Sequence, residues 1–272
     1  MIALTLGEFL CRAESALSPS PDARADGVWM AEECLRLPRG QMYDQMGRLL
    51  TAEERAELEK ALSRRIAGEP VQYIFSRAPF MGFEFYVDPR VLIPRMATET
   101  LCEGAYLHIK KKRCRKVLDL CAGSGAIGLS LKRLCPWISL TLSDISPDAC
   151  DVERINARGL TGVRVCTGDL FSPVAGEKFD IITCNPPYIA SRVIPTLERE
   201  VLREPRLALD GGGDGLDFYR RLAAEYRDYL SPGGRLYLEI GYDQGTCVPA
   251  LFPFSHLEKD LSGQDRVVWT EV

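Results

Sequence analysis

The sequence predicts an α/β fold: a helical region over residues 1–70, a β-hairpin over 71–97, and a mostly parallel sheet covered by helices over 98–272. Three observations carry this. Capping-box patterns followed by helical apolar stripes recur in the first 70 residues. Residues 71–95 are dense in aromatic and β-branched side chains. From about Thr98 onward, short apolar runs alternate with amphipathic stretches, which is the pattern of a sheet covered on both faces.

In the first region, Thr5 and Glu8 form a capping box, and Leu6, Phe9, Leu10, Ala13 and Leu17 follow at helical spacing. A second helix is predicted over 23–37, stopped by Pro38 and Gly40. Thr51 and Glu54 repeat the box ahead of Leu58, Ala61, Leu62 and Ile66. The stretch Met1 to Leu10 is fairly apolar but lacks a basic segment, and Glu8, Arg12 and Glu14 interrupt it at helical spacing. A helix is expected there and not a signal peptide. Tyr73, Ile74, Phe75, Phe80, Phe83, Phe85, Tyr86 and Val87, punctuated by Gly82 and Pro89, predict the hairpin. Strands are then predicted at 116–120, 139–143, 164–167, 179–184 and 235–240. Helices are predicted at 126–134 and 147–157, the latter capped by Ser146 with Pro147 at its first position. The Val267–Thr270 run is expected to close the sheet as an antiparallel edge strand.

Composition excludes several classes. With 46 % hydrophobic and 26 % charged residues, the chain resembles an ordinary globular protein, and no apolar run reaches the roughly 18 residues that span a bilayer. The ten cysteines form no C-x-x-C pair, which suits free thiols in a reducing cytoplasm. His108 and His256 stand alone, so no metal is expected. A net charge of −4 argues against a duplex-binding protein. The basic run at 110–116 reads as a solvated helix end. A monomer is expected, with no membrane and no direct nucleic-acid partner.

The first predicted strand runs into Cys121-Ala122-Gly123-Ser124-Gly125, and Gly123, Gly125 and Gly128 spell G-x-G-x-x-G. That spelling alone is weak, and Asp119 just before the loop would repel a pyrophosphate. A carboxylate there suits a ligand carrying an ammonium and a sulfonium, as S-adenosylmethionine does. Asp144 ends the next strand, near the spacing of a ribose-binding acid; the alternative is a helix-start acid beside Ser146. Asp169 would accept from an adenine amino group or merely cap a turn with Gly168, and Leu170 would pack on the adenine face.

The most specific signal is Asn185-Pro186-Pro187-Tyr188 at the end of the 179–184 strand. Two prolines remove two backbone N–H groups, so the turn offers carbonyl acceptors. The Asn185 side chain adds another acceptor, and Tyr188 a flat face. Such a set can hold both hydrogens of a planar –NH₂ group and fix its nitrogen for methyl transfer, with rate coming from positioning and oriented dipoles.

At these residues the chain resembles the release factor glutamine methyltransferases, the HemK/PrmC family. The matching stretches are Gly68 to Ile74, Val91 to Arg95, Val117 to Gly128, Asn185 to Ile189, Gly211 to Arg221 and Asp265 to Val268. Where that family has a proline and an acidic residue after the arginine, this chain has Met96-Ala97. The resemblance implies a Rossmann-like class I S-adenosylmethionine methyltransferase domain, with a small helical domain that docks the protein substrate. It implies methylation of the glutamine in the Gly-Gly-Gln loop of class 1 peptide release factors. Asp119, the 121–125 loop, Asp144, Ile145, Asp169, Leu170 and Asn185 would bind the cofactor. Asn185, Pro186, Pro187 and Tyr188 would hold and activate the glutamine amide. Alternatives from the same residues are a ribosomal protein glutamine, the exocyclic amine of adenine in nucleic acid, and a non-catalytic binding module.

Overall fold

A computed structural model describes residues 4–272; Met1–Ala3, part of the apolar N-terminal stretch, lie outside them. The chain forms two units, one of residues 1–76 with 198–203, the other of 77–197 with 204–272.

The first unit is helical: α1 (Leu6–Leu17), α2 (Ala23–Leu35), the short α3 (Arg39–Met42), α4 (Ala52–Ile66) and the single turn α5 (Val71–Ile74). Both capping boxes form. Thr5 Oγ1 accepts from the Glu8 amide at 3.2 Å while the Glu8 carboxylate accepts from the Thr5 amide at 2.8 Å. Thr51 and Glu54 repeat the exchange at the head of α4. Phe9, Met30, Leu58 and Leu62, spaced along α1, α2 and α4, meet in one apolar core. Buried inside this unit, Arg65 pairs with Asp26 and with Glu200 of the returning segment 198–203.

The second unit begins with a hairpin, β1 (Ala78–Phe80) and β2 (Phe83–Phe85), followed by α6 (Glu99–Lys112), β3 (Lys116–Leu120), α7 (Ala126–Leu134), β4 (Ser139–Asp144), α8 (Pro147–Asn156), β5 (Val163–Thr167), β6 (Phe179–Cys184), α9 (Asp217–Glu225), β7 (Leu230–Glu239), β8 (His256–Lys259) and β9 (Asp265–Glu271). The seven-stranded sheet has the order β5-β4-β3-β6-β7-β9-β8. Its first five strands run parallel, and β9 is antiparallel to both neighbours. Alternating side chains divide the core. Val117, Leu140 and Ile181 face one cluster with residues of α6 and α7, while Leu118, Ile182 and Leu236 face the other with Tyr219 and Leu222 of α9. The strand order reverses at β3, which is where open α/β sheets carry ligands, beyond the carboxyl ends of the strands. Among the described residues, no helix is long and apolar enough to cross a membrane.

Two expectations need correction. The 71–95 stretch is strand only at 78–80 and 83–85. Pro70 starts a helical turn at Val71–Ile74, its carbonyl accepting from Tyr73 and Ile74. Beyond Phe85 the Tyr86 amide bonds the Asn156 side chain and not a partner strand. The hairpin groups with the second unit, its Phe80 and Phe85 buried against α6. Second, β9 is not at the edge, because β8 pairs outside it. His256–Lys259 is mostly exposed and carries no apolar alternation; such edges resist further pairing and leave little trace in sequence.

Candidate active site

Four strand ends supply the site. β3 ends at Leu120 and releases the glycine loop; β4 ends in Asp144; β5 releases Gly168-Asp169-Leu170; β6 releases Asn185 to Tyr188. These loops surround a cavity of about 1030 Å³, counted to its open mouth. Its lining includes Cys121 to Ser124, Asp144, Ile145, Asp169, Asn185 and Pro187.

The loop is held from beneath. Asp119 is fully buried, its carboxyl accepting from the Gly128 amide and the Thr183 hydroxyl, both at 2.8 Å. Burial pushes its pKa up to about 7, against those two bonds. Asp119 therefore sits under the loop and does not line the cavity. Gly128 is where α7 crosses β4: a Cβ there would lie 2.6 Å from the Leu142 side chain and 3.0 Å from Asp119. The third glycine of the motif thus serves close packing.

Asp144 faces the cavity. Its two oxygens each accept one backbone amide at 2.9 Å, from Gly123 and from Ser146. Burial raises its pKa, opposed by these amides. A carboxylate has about four acceptor positions, so both oxygens keep capacity for further donors. Ile145 beside it is half exposed and presents apolar surface. Asp169 lies at the rim, paired with Arg221 at 2.7 Å. Leu170 has a left-handed backbone (φ 46°) and is buried in the core below, outside the lining.

The 185–188 turn is braced from behind. Tyr188 Oη donates to Glu239 at 3.2 Å, and the Gln244 side-chain amide donates to the Tyr188 carbonyl at 3.1 Å. Burial and the Glu239 charge both raise the Tyr188 phenol pKa, so it stays protonated. The Gly211–Gly215 segment lies directly on the turn: a Cβ at Gly211 would stand 2.7 Å from the Tyr188 Cα. Asn185 and Pro187 line the cavity; Pro186, buried, and Tyr188, partly exposed, adjoin them in the turn outside the lining.

Several functional positions escaped sequence reasoning. The Asn156 side chain donates to the Ser124 and Tyr86 carbonyls, both at 2.9 Å, tying the glycine loop to α8. Buried Glu204 accepts from the Ile93 amide at 2.9 Å and pairs with Arg95. This fastens 93–95, next to the lining residues Arg90 to Leu92 and Pro94, beside Pro205, Leu207 and Ala208 of the same wall. The only sequence signals were the family-like stretches Val91 to Arg95 and Gly211 to Arg221, which supply Phe218 and Arg221 to the lining. Among the described residues, no cluster of three or more His, Cys, Asp or Glu could hold a metal.

A parallel sheet reversing at β3, a glycine loop with a strand-end acid, and an Asn-Pro-Pro-Tyr turn across one cavity define a class I methyltransferase. Residues 97–216 match the methyltransferase small domain, and 8–75 the PrmC N-terminal domain. The chain is 44 % identical to the release factor glutamine methyltransferase of Clostridium acetobutylicum, over 73 % of this chain and 74 % of that protein. It is 37 % identical to that of Moorella thermoacetica, over 96 % and 95 %. The chain belongs to the release factor glutamine methyltransferase family. Its fold is shared with a T. thermophilus 16S rRNA N2 G1207 methyltransferase solved with AdoMet and guanosine (TM-score 0.52, 21 % identity, 72 % of this chain and 49 % of that one). A methyltransferase from Pyrococcus furiosus shares it too (TM-score 0.51, 16 % identity, 78 % and 98 %).

Proposed function

We propose that the protein transfers a methyl group from S-adenosylmethionine to the side-chain amide nitrogen of the glutamine in the Gly-Gly-Gln loop of class 1 peptide release factors. The observation that carries this reading is the placement of Asn185 and Pro187 across one cavity from Asp144 and the glycine loop.

The residues present fit the cofactor. Asp144 has acceptor capacity for ribose hydroxyls, and Ile145 offers an apolar face for the adenine. The carboxylates on this side suit a cationic ligand better than a pyrophosphate. The cofactor supplies an electrophilic methyl on a sulfonium. Asn185 Oδ1 and the Pro186 carbonyl would accept the two amide N–H bonds, and Tyr188 would back the amide plane. Holding both hydrogens fixes the nitrogen and favours the pyramidal geometry that frees its lone pair from the carbonyl. One N–H proton leaves to solvent as the N–C bond forms. Tyr188 is itself immobilised through Glu239 and Gln244, so the acceptors need no rearrangement during the reaction. The free thiols throughout the chain suit a reducing cytoplasm, where this reading places the enzyme.

The test is incubation with labelled S-adenosylmethionine and, separately, a release factor, ribosomal protein and adenine-containing nucleic acid. Label on the release factor, lost when its loop glutamine is replaced, supports the reading. Label confined to either other substrate overturns it.

A further inference from the structure

All ten cysteines are free thiols, and two of them come together at the site. In the parallel pair β3–β6, Leu120 stands opposite Cys184, and Cys121 follows as the first residue of the loop. With neighbouring strands about 4.8 Å apart and consecutive Cα atoms about 3.8 Å apart, the two cysteine Cα atoms lie within roughly 9 Å of each other, a range that includes disulfide geometry. Disulfides span about 4.4–6.8 Å between Cα atoms. Cys121 turns off the strand with a left-handed backbone (φ 53°) and packs on the apolar cluster that encloses Cys184. Burial raises the Cys184 pKa, and the neighbouring Cys121 thiol raises it further. The two thiols differ in access, because Cys184 is sealed in the core while Cys121 lines the open cavity.

We propose that Cys121 is an oxidation site for small peroxides and that Cys184 is its resolving partner, giving a reversible disulfide across the head of the glycine loop. In the first step the Cys121 sulfur attacks the peroxide O–O bond. An S–O bond forms, the O–O bond breaks, and water leaves when the oxidant is hydrogen peroxide. In the second step the Cys184 sulfur attacks the sulfenic sulfur. The S–S bond forms, the S–O bond breaks, and the hydroxyl leaves as a second water with the Cys184 proton. Two thiols are oxidised and one peroxide is reduced. Burial keeps the Cys184 thiol firmly protonated, so it does not react with peroxide directly and acts only on a sulfenic acid already in contact with it.

The disulfide joins the first residue of the glycine loop to the residue before Asn185. Both halves of the site are pulled from their open positions, and cofactor binding is lost. That consequence rests on the S-adenosylmethionine reading of the cavity; the disulfide itself does not. A ligand filling the cavity shields Cys121 and delays oxidation.

The experiment treats the whole protein with hydrogen peroxide, blocks remaining thiols, and maps linkages by peptide mass spectrometry. Binding of S-adenosylmethionine is read by calorimetry on the same samples. The expected result is a Cys121–Cys184 peptide lighter by two hydrogens, with binding lost, and both reversed by dithiothreitol. S-adenosylhomocysteine present during treatment prevents the link. In Cys184→Ala, cofactor binding before treatment is unchanged, and peroxide drives Cys121 to a sulfinic acid that dithiothreitol does not reverse. Cys184→Val serves if the alanine variant melts early. Cys121 unmodified while other thiols oxidise, Cys121 linked elsewhere, or a dithiothreitol-reversible loss persisting without Cys184 would each overturn the proposal. A mapped Cys121–Cys184 link with binding intact overturns only the closure of the cofactor site.

Discussion

Glu153 is a carboxyl with no partner: it is fully buried on α8, and neither oxygen accepts a hydrogen bond. Burial, with the charges of Asp144 and Asp119, pushes its pKa up to about 9 against the opposing charge of Arg154. The folded state thus holds a proton that the unfolded chain releases near 4.5, so stability falls as pH rises through that window up to about 9. Replacing Glu153→Gln should change stability little near about pH 5 and stabilise by on the order of 2–4 kcal/mol near about pH 8, measured by urea unfolding across that range. At Asn185, replacement by alanine should lower kcat by about 10²–10³-fold, by analogy with loss of one oriented polar group at a reacting centre. Steady-state kinetics on a release factor would show it, and an unchanged kcat would remove Asn185 from the reaction. Asp144 and Asn185 were legible in the sequence because each ends an apolar strand run. Glu153 and Asn156 were not, since nothing in the mixed pattern of α8 tells which polar residues turn inward. Asp119 was legible as a strand-end acid, but its burial under the loop depends on Gly128 crossing it.

The glycine loop and the Asn-Pro-Pro-Tyr turn are each held by another segment. Asn156 binds the loop's Ser124 carbonyl together with Tyr86. Truncation to alanine leaves three backbone groups without that partner and should cost about 1–3 kcal/mol. Cofactor affinity should fall with it, as calorimetry on the folded variant can determine. Gly211 packs against the turn's backbone, so Gly211→Ala must displace Tyr188 or its own segment. Its expected signature is a drop in kcat with cofactor affinity retained; weakened cofactor binding at unchanged kcat would contradict the bracing role. Strands β3 and β6 could be read from sequence because burial on both faces keeps most of their residues apolar. The GGGDG segment could not be interpreted that way: its glycines answer to a backbone that lies over twenty residues earlier in the chain.

At the scale of the molecule, the helical unit is completed by residues 198–203, which arrive more than a hundred residues after its last helix. Arg65 holds that return, pairing with Glu200 and with buried Asp26. Burial raises the Asp26 pKa despite this pairing, while Arg65 lowers that of Glu200 against a smaller burial than Asp26 experiences. Arg65→Ala strands Asp26 without its counter-ion and should cost about 3–5 kcal/mol, read as a lower unfolding midpoint. A change below experimental error would mean that Asp26 simply takes up a proton. The sequence placed a boundary near residue 70 because Gly68-Glu69-Pro70 ends α4, and local punctuation cannot announce a segment that rejoins from afar. A unit assembled from two stretches of chain cannot be exchanged between relatives by a single crossover. Recombination at residue 76 would deliver the helices and leave their sixth piece behind in the recipient, so any chimaera needs a matched 198–203, and the two units are expected to be inherited as a pair.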